Sequence, residues 1–342
     1  MKKILVTGGC GYIGSHTIVD LIDNGFEVIS VDNLSNADPS VLEGIEAITG
    51  KRVRNYDVDL CDATETRRIF LENKDIKGVI HFAALKSVGE SVEKPLLYYH
   101  NNLNSLNNIL MCAEEFGVKH IIFSSSCSVY GNAKALPVTE ETPFQEAESP
   151  YARTKQIGEN MLKDFTLINP LINAIALRYF NPAGAHESAL IGESARNVAN
   201  NLVPVITETA IGKRAETVIF GDDYATRDGS CVRDYIHVMD LGRAHTLALQ
   251  YVMEGKNDRN FEVFNLGIGE GVTVLEAVHA FEKVNNQPFK YRIGQRRPGD
   301  VVAIYANNDL ARTKLGWIPK RSIEDIMRTA WVWEQKRSAV LA

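Results

Sequence analysis

No stretch of this sequence approaches the roughly 18 uninterrupted apolar residues that a membrane-spanning helix requires. The positive start Met1-Lys2-Lys3 leads into an apolar run, Ile4 to Val6, far too short for a secretory signal. A basic block is also missing. Formal net charge is −6 and pairs such as Arg67-Arg68 stand alone, so nucleic acid and membrane are not expected partners. Five scattered cysteines (Cys10, Cys61, Cys112, Cys127, Cys231) form no C-x-x-C and no even framework, which reads as reduced thiols in the cytoplasm. No H-E-x-x-H and no Cys/His cluster suggests a metal site, so none is expected. What is present is an ordinary globular balance, 45% hydrophobic and 23% charged over 342 residues. That is enough for two associated cores and a poor fit to disorder.

Lys3 to Thr7 is a short β-branched run that stops at glycines. From Gly11 to Asn24 the apolar residues Ile13, Ile18, Leu21 and Ile22 recur at helical spacing, and Glu27 to Asp32 reads as a second strand. Strand, glycine turn, helix and strand make a βαβ unit. Gly78 to Phe82, His120 to Ser124 and Asn173 to Arg178 are further strand candidates, with helical patterning over Leu103 to Phe116 and Arg153 to Leu167. The fold class expected is α/β, a doubly wound parallel Rossmann-type sheet. After Tyr179 the rhythm breaks at Asn181-Pro182, Pro204, Gly221 to Gly229 and a Pro298-Gly299 turn, while Val238 to Met253 and Phe261 to Leu266 look regular again. The expected division is a dinucleotide domain of residues 1–180 plus about 238–266. A smaller α/β substrate-binding domain, formed by C-terminal insertions, would take 181–237 plus about 267–342.

Gly8-Gly9-Cys10-Gly11-Tyr12-Ile13-Gly14 satisfies both G-x-G-x-x-G and G-x-x-G-x-x-G. Glycines close the turn and clear the approach to a pyrophosphate, and the helix start offers amides and a positive dipole end. Asp32 follows at the end of the second strand, placed for ribose hydroxyls and hostile to a 2′-phosphate. Asn33-Leu34-Ser35 supplies no arginine to receive one, so NAD is expected over NADP. Asp59-Leu60, after a third strand, is placed to frame the adenine; a turn or helix cap near Asp59 and Asp62 is the other reading.

Ser124-Ser125-Ser126 ends a strand, and Ser149-Pro150-Tyr151-Ala152-Arg153-Thr154-Lys155 opens a helix. Tyr151 and Lys155 are four apart and share a helix face. A neighbouring ammonium and a positive nicotinamide ring both favour phenolate, so the Tyr151 phenol is expected to titrate below its usual value. Tyr151 can then take the proton of a sugar hydroxyl, with Ser126 bonded to the same oxygen; which serine of the run acts is left open.

Read together, these residues resemble the extended short-chain dehydrogenase/reductase family. The likeness runs end to end through Val79-Ile80-His81-Phe82-Ala83-Ala84-Leu85-Lys86, Tyr98-Tyr99-His100-Asn101-Asn102, Arg178-Tyr179-Phe180-Asn181-Pro182 and Val232-Arg233-Asp234-Tyr235-Ile236-His237. Within that family the resemblance implies reversible epimerisation of a UDP-hexose at C4, through a 4-keto sugar with the hydride held on bound NAD. It implies that Gly8, Gly11, Tyr12, Ile13, Gly14, Asp32, Asn33, Asp59, Leu60, Phe82, Ala83, Ala84, Lys86, Asn101, Ser124, Tyr151, Lys155 and Tyr179 contact NAD. Catalysis would fall to Tyr151, Lys155 and Ser126. The UDP-hexose would meet Lys86, Ser126, Tyr151, Phe180, Asn181, Asn201, Leu202, Phe220, Arg233, Tyr235, Arg297, Asp300 and Ile304. A homodimer joined through helices near Leu96 to Phe116 and Tyr151 to Leu167 is also implied.

Related 4,6-dehydratases carry an Asp-Glu pair directly after the residue matching Ser126, and a related decarboxylase carries Glu at the position of Ser128. This chain has Cys127 and Ser128 there. A non-catalytic dinucleotide sensor on the same fold would typically lose the Tyr/Lys pair, which is kept. In the family the residue four after the aspartate matching Asp300 is tyrosine in enzymes restricted to plain hexoses, and small in those that accept N-acetyl sugars. Ile304 is intermediate, so preference for plain sugars with weak N-acetyl turnover is expected; the competing reading is a core residue of a Val301 to Ala306 strand.

Overall fold

The computed structural model describes residues 1–194, 199–297 and 300–341; the expected Pro298-Gly299 turn lies outside them. The first half alternates strand and helix: β1 (Lys3–Thr7), α1 (Tyr12–Asp23), β2 (Glu27–Val31), α2 (Val41–Thr49), β3 (Arg54–Tyr56) and α3 (Ala63–Glu72). It continues with β4 (Ile76–His81), α4 (Val88–Glu93), α5 (Pro95–Phe116), β5 (His120–Ser126), α6 (Pro150–Ile168) and β6 (Asn173–Tyr179). Beyond Tyr179 the elements shorten to β7 (Asn181–Ala183), α7 (Leu202–Ala210), β8 (Thr217–Phe220), β9 (Val232–Arg233) and β10 (Tyr235–His237). A longer pair, α8 (Val238–Met253) and β11 (Phe261–Leu266), precedes β12 (Val272–Thr273), α9 (Val274–Asn285), β13 (Tyr291–Gly294) and α10 (Ile323–Leu341).

Seven strands form one parallel sheet in the order β11-β6-β5-β4-β1-β2-β3. Runs such as Ile4-Leu5-Val6 and Ile121-Ile122-Phe123 are buried on both faces, as a sheet covered on each side requires. One face packs Ile18, Leu21, Leu241 and Leu249 from α1 and α8 against the sheet; the other packs Ile69, Phe70, Ile109 and Leu162 from α3, α5 and α6. Successive strands run outward in opposite directions from β1 and β4, so a crevice opens at their carboxyl ends. A third cluster (Val203, Ile206, Ile219, Tyr235, Phe281, Met327) centres on α7, α9 and α10. Among the described residues, no helix is long and apolar enough to cross a membrane.

β5 ends on the three serines, as the sequence reading places them, and two other elements differ from expectation. α5 begins at Pro95, which suits the first helical turn, well before the expected Leu103; buried Asn102 breaks the apolar pattern just ahead of that start. Val301 to Ala306 is not a strand. Ala303 and Ala306 make only isolated bridges, because Ile304 N bonds Val232 O at 3.2 Å while Ala306 N turns to the Asp234 carboxylate at 3.1 Å.

Candidate active site

Gly8 closes the turn after β1 with φ +67°, and a Cβ there would lie 2.9 Å from the Ala83 amide nitrogen. A Cβ on Gly14 would lie 2.2 Å from the Gly8 carbonyl oxygen, which already accepts Gly11 N at 3.0 Å. Glycine is therefore obligatory at both positions. Gly11 begins α1 without any side-chain cap, so the first amides and the positive end of the helix are left for an anion. Tyr12 donates its hydroxyl to the Gly184 carbonyl at 2.6 Å, and Ile13 packs on the core.

Asp32, just past β2, faces this turn: Oδ2 accepts Cys10 N at 3.1 Å and Oδ1 accepts Leu34 N at 2.9 Å. Burial raises its pKa and the backbone amides oppose that shift. Asn33 is exposed and bonds Ser35, so no cation stands beside Asp32 in this loop. Asp59 accepts Cys61 N at 2.9 Å in a local turn and Asp62 caps α3, while Leu60 is buried with its carbonyl bonded by Asn108. At the end of β4, Phe82 packs on His245 with ring centroids 4.6 Å apart, and Ala83 N donates to Thr7 Oγ1 at 3.2 Å. Ala84 is half-buried there, and Asn101 donates to Asn102 Oδ1 at 3.0 Å. Lys86 pairs with Glu193 at 3.5 Å, the carboxylate that also accepts Asn201 Nδ2 at 3.2 Å.

Ser149 caps α6 by accepting Ala152 N at 3.2 Å, and Pro150 occupies the first helical turn. This start sets Tyr151 and Lys155 on the face toward β5. Lys155 is 4% exposed and donates to the Ser124 carbonyl at 2.6 Å, with Nζ 5.8 Å from the centre of the Tyr151 ring. The three serines have separate partners. Ser124 Oγ meets the Tyr179 hydroxyl and Ser125 Oγ meets Glu159, whereas Ser126 Oγ accepts only Ser128 N at 3.2 Å and acts on Tyr151. The geometry thus favours Ser126 among the three.

The expectation that Tyr151 titrates low does not hold for the protein's own groups. Burial pushes its phenol up to about 12, with the Ser126 hydroxyl opposing. Burial also draws Lys155 down to about 7, against the pull of Glu159, so its ammonium is a weakened source of positive charge.

On the other side of the crevice, Arg233 donates to the Val232 and Val301 carbonyls at 2.9 and 2.7 Å. Its second nitrogen lies 3.5 Å from Asp300, and Arg297 bonds the same carboxylate oxygen at 2.7 Å. Arg297 also stands 5.5 Å over the exposed Phe220 ring. Asn201 and Leu202 open α7, again with no side-chain cap. Asn181 lies on β7, paired with Tyr235 on β10, whose phenol is buried. Ile304 is buried in a small cluster with Phe180, Val129, Tyr130 and Val138. Among the described residues no group of three His, Cys, Asp or Glu could hold a metal ion.

Sequence reading missed Glu159, Glu193 and Asp234. Asp234 is buried, accepts amides from Ile268, Gly269 and Ala306, and burial pushes its pKa up to about 6. It pins the loops that flank Arg233. A signal existed only for Glu159, which extends the four-residue spacing of Tyr151 and Lys155.

The family described as GDP-mannose 4,6 dehydratase matches residues 5–330. The chain is 46% identical to a UDP-glucose 4-epimerase of Haemophilus influenzae over 332 residues, covering 97% of each chain. It is likewise 46% identical to one of Bacillus subtilis over 331 residues, 97% of this chain and 96% of that one. A Stenotrophomonas maltophila UDP-glucose-4-epimerase, solved with NAD and formylated UDP-arabinopyranose, superposes with a TM-score of 0.96 at 41% identity, covering 99% and 100% of the two chains. One from Bifidobacterium longum, solved with NAD+ and UDP, gives 0.93 at 45% identity over 98% and 99%.

Proposed function

The chain belongs to the UDP-glucose 4-epimerases of the extended short-chain dehydrogenase/reductase family, and from that membership we propose that it interconverts UDP-glucose and UDP-galactose. The observation that carries this reading is the meeting of Ser126, Tyr151 and Lys155 at one strand end, on the same sheet as a glycine cradle shaped for a dinucleotide. The uncapped α1 and the Asp32 carboxylate fit the pyrophosphate and ribose of NAD. NAD, when bound, supplies the acceptor and donor of the C4 hydride and, when oxidised, a positive charge.

Tyr151 takes the proton from the sugar O4 as the C4 carbonyl forms, and gives it back to that oxygen as the C4–H bond is restored on the other face. Ser126 bonds the same oxygen, and Lys155 supports the phenolate. The 4-keto sugar must turn over between the two steps, so the grip belongs on UDP. Arg233 and Arg297 suit diphosphate and ribose oxygens, with the shared Asp300 carboxylate holding both forks until the substrate arrives. A 4,6-dehydratase would need acid–base groups after Ser126, but burial pushes the Cys127 thiol up to about 12 and Ser128 is a plain hydroxyl.

Residues 1–180 with 238–266 would hold NAD, and 181–237 with 267–342 the UDP-sugar. Five unpaired cysteines support work in the cytoplasm. Exposed apolar side chains on α5 and at the end of α6, with Leu96 79% and Leu167 80% exposed, support a homodimer through these helices. The test is direct. Purified protein incubated with UDP-galactose and no added cofactor should yield UDP-glucose; protein holding a full complement of NAD that converts neither UDP-hexose nor its N-acetyl form overturns the reading.

A further inference from the structure

One turn beyond Lys155, on the same buried face of α6, stands Glu159, which the mechanism above does not use. It is 2% exposed and accepts Arg178 Nε at 2.9 Å, Arg178 Nη2 at 2.6 Å and the Ser125 hydroxyl. Arg178, 5% exposed, donates its remaining nitrogen to the Tyr130 hydroxyl at 3.0 Å and the Glu140 carbonyl at 3.2 Å. Ser125 and Arg178 are direct partners on β5 and β6, and Asn265 on β11 continues the row. The next row toward the crevice pairs Ser126 with Tyr179. Glu159 therefore fastens the helix of Tyr151 and Lys155 to two strands, one residue behind the serine that meets the sugar.

A buried ion pair is a poor source of stability, because desolvating both charges consumes most of their attraction. Apolar residues of equal volume would hold the fold as well, so the place of this pair, not its strength, calls for a cause. Around Lys155 and Tyr151 stand the Phe123 ring and Ser124 carbonyl from β5, neutral His81 from β4, and Tyr179 and Arg178 from β6. The Cys127 thiol follows β5. None of these brings negative charge to the lysine; Glu159 does.

We propose that Glu159, pinned by Arg178 and Ser125, is a positioning residue that keeps Lys155 protonated and holds the Tyr151 helix against the Ser124–Ser126 strand end. The inference rests on the epimerase reading. Its test is the pH profile of kcat for Glu159→Gln, which keeps shape and removes charge, beside Glu159→Gln/Arg178→Met, which leaves no orphaned guanidinium. The alkaline limb should move down by about one pH unit, a tenfold change in charged Lys155, with KM for UDP-galactose unchanged. Ultraviolet difference titration, referenced to Tyr151→Phe, should show the Tyr151 phenol rising. An unmoved profile, or kcat and KM worsening together at fixed profile, overturns the proposal. So does failure of both variants to fold, which would give the pair a purely structural role. Wild-type protein runs in the same assay: its inactivity when loaded with NAD would sink the epimerase reading, whereas an active wild type with unaltered variants sinks only this inference.

Discussion

The two sides of the crevice hold their functional groups by different means. On the sheet side, the candidate contacts are mostly backbone: a glycine turn locked by the Gly8 carbonyl, an uncapped helix start, and Asp32 fixed by two amides. On the far side they are long side chains, Arg233 and Arg297, resting on a shared carboxylate above two-stranded sheets. Backbone contacts cost no rotamer freedom when a ligand arrives, whereas arginine forks must be released and reordered. The first arrangement suits a group that stays bound, and the second a substrate that exchanges at every turnover.

The comparison can be tested at several depths. Tyr151→Phe removes only the reacting hydroxyl and should leave NAD and UDP binding nearly intact while kcat falls by ~10²–10⁴-fold. A loss below about fivefold would mean another group is the base. Asp32→Ala and Arg297→Ala should separate the two sides, each weakening its own ligand by about 1.5–3 kcal/mol, NAD for the first and UDP for the second. Calorimetric titration of each variant with both ligands checks this; an effect that crosses over would dissolve the distinction.

Acid should weaken both sides, since burial also holds His237 of β10 at about 3. Burial holds His16 and His81 at about 3 and His245 at about 4, all below the ordinary value near 6.5. Because the unfolded chain binds protons first, stability is full above pH 6.5 and falls as pH drops toward those values. Each histidine contributes a loss of at most about 1.4 kcal/mol per pH unit. Urea midpoints measured between pH 7 and pH 5 should decline, and less so in His81→Asn; a flat series would show these rings protonated in the native state. The smallest effect is at Ile304. Replacing it with Gly should raise kcat/KM for UDP-N-acetylglucosamine relative to UDP-glucose by on the order of 1 kcal/mol, the worth of about one methylene of fit. An unmoved ratio would leave Ile304 as packing in its cluster with Phe180.

Legibility in the sequence follows the same boundary. Contacts close along the chain could be read: the glycines, Asp32 and the four-residue spacing of Tyr151 and Lys155 each carry a local signature. The Val301 to Ala306 segment misled because its apolar residues answer to Val232 and Val138 in turn, not to one neighbouring strand. The Lys86–Glu193 and Asp234–Ala306 contacts join distant segments through single side chains, and no periodicity announces them. The upward shift of the Tyr151 phenol comes first from its own burial, which no local spacing announces.

The position of β11 has a consequence for how the chain is made. It is the edge strand beside β6, yet residues 180–260 lie between the two. At about 5–20 residues per second, a ribosome needs on the order of ten seconds to deliver the missing strand after β6 has emerged. During that interval the growing protein carries an open row of unpaired amides and carbonyls along β6, the kind of edge that pairs with other chains. The helix that covers the neighbouring face, α8, arrives just before the strand that closes it. Completion of the sheet is thus a late event in synthesis, and nascent chains halted between residues 180 and 260 are the ones that will depend most on chaperones.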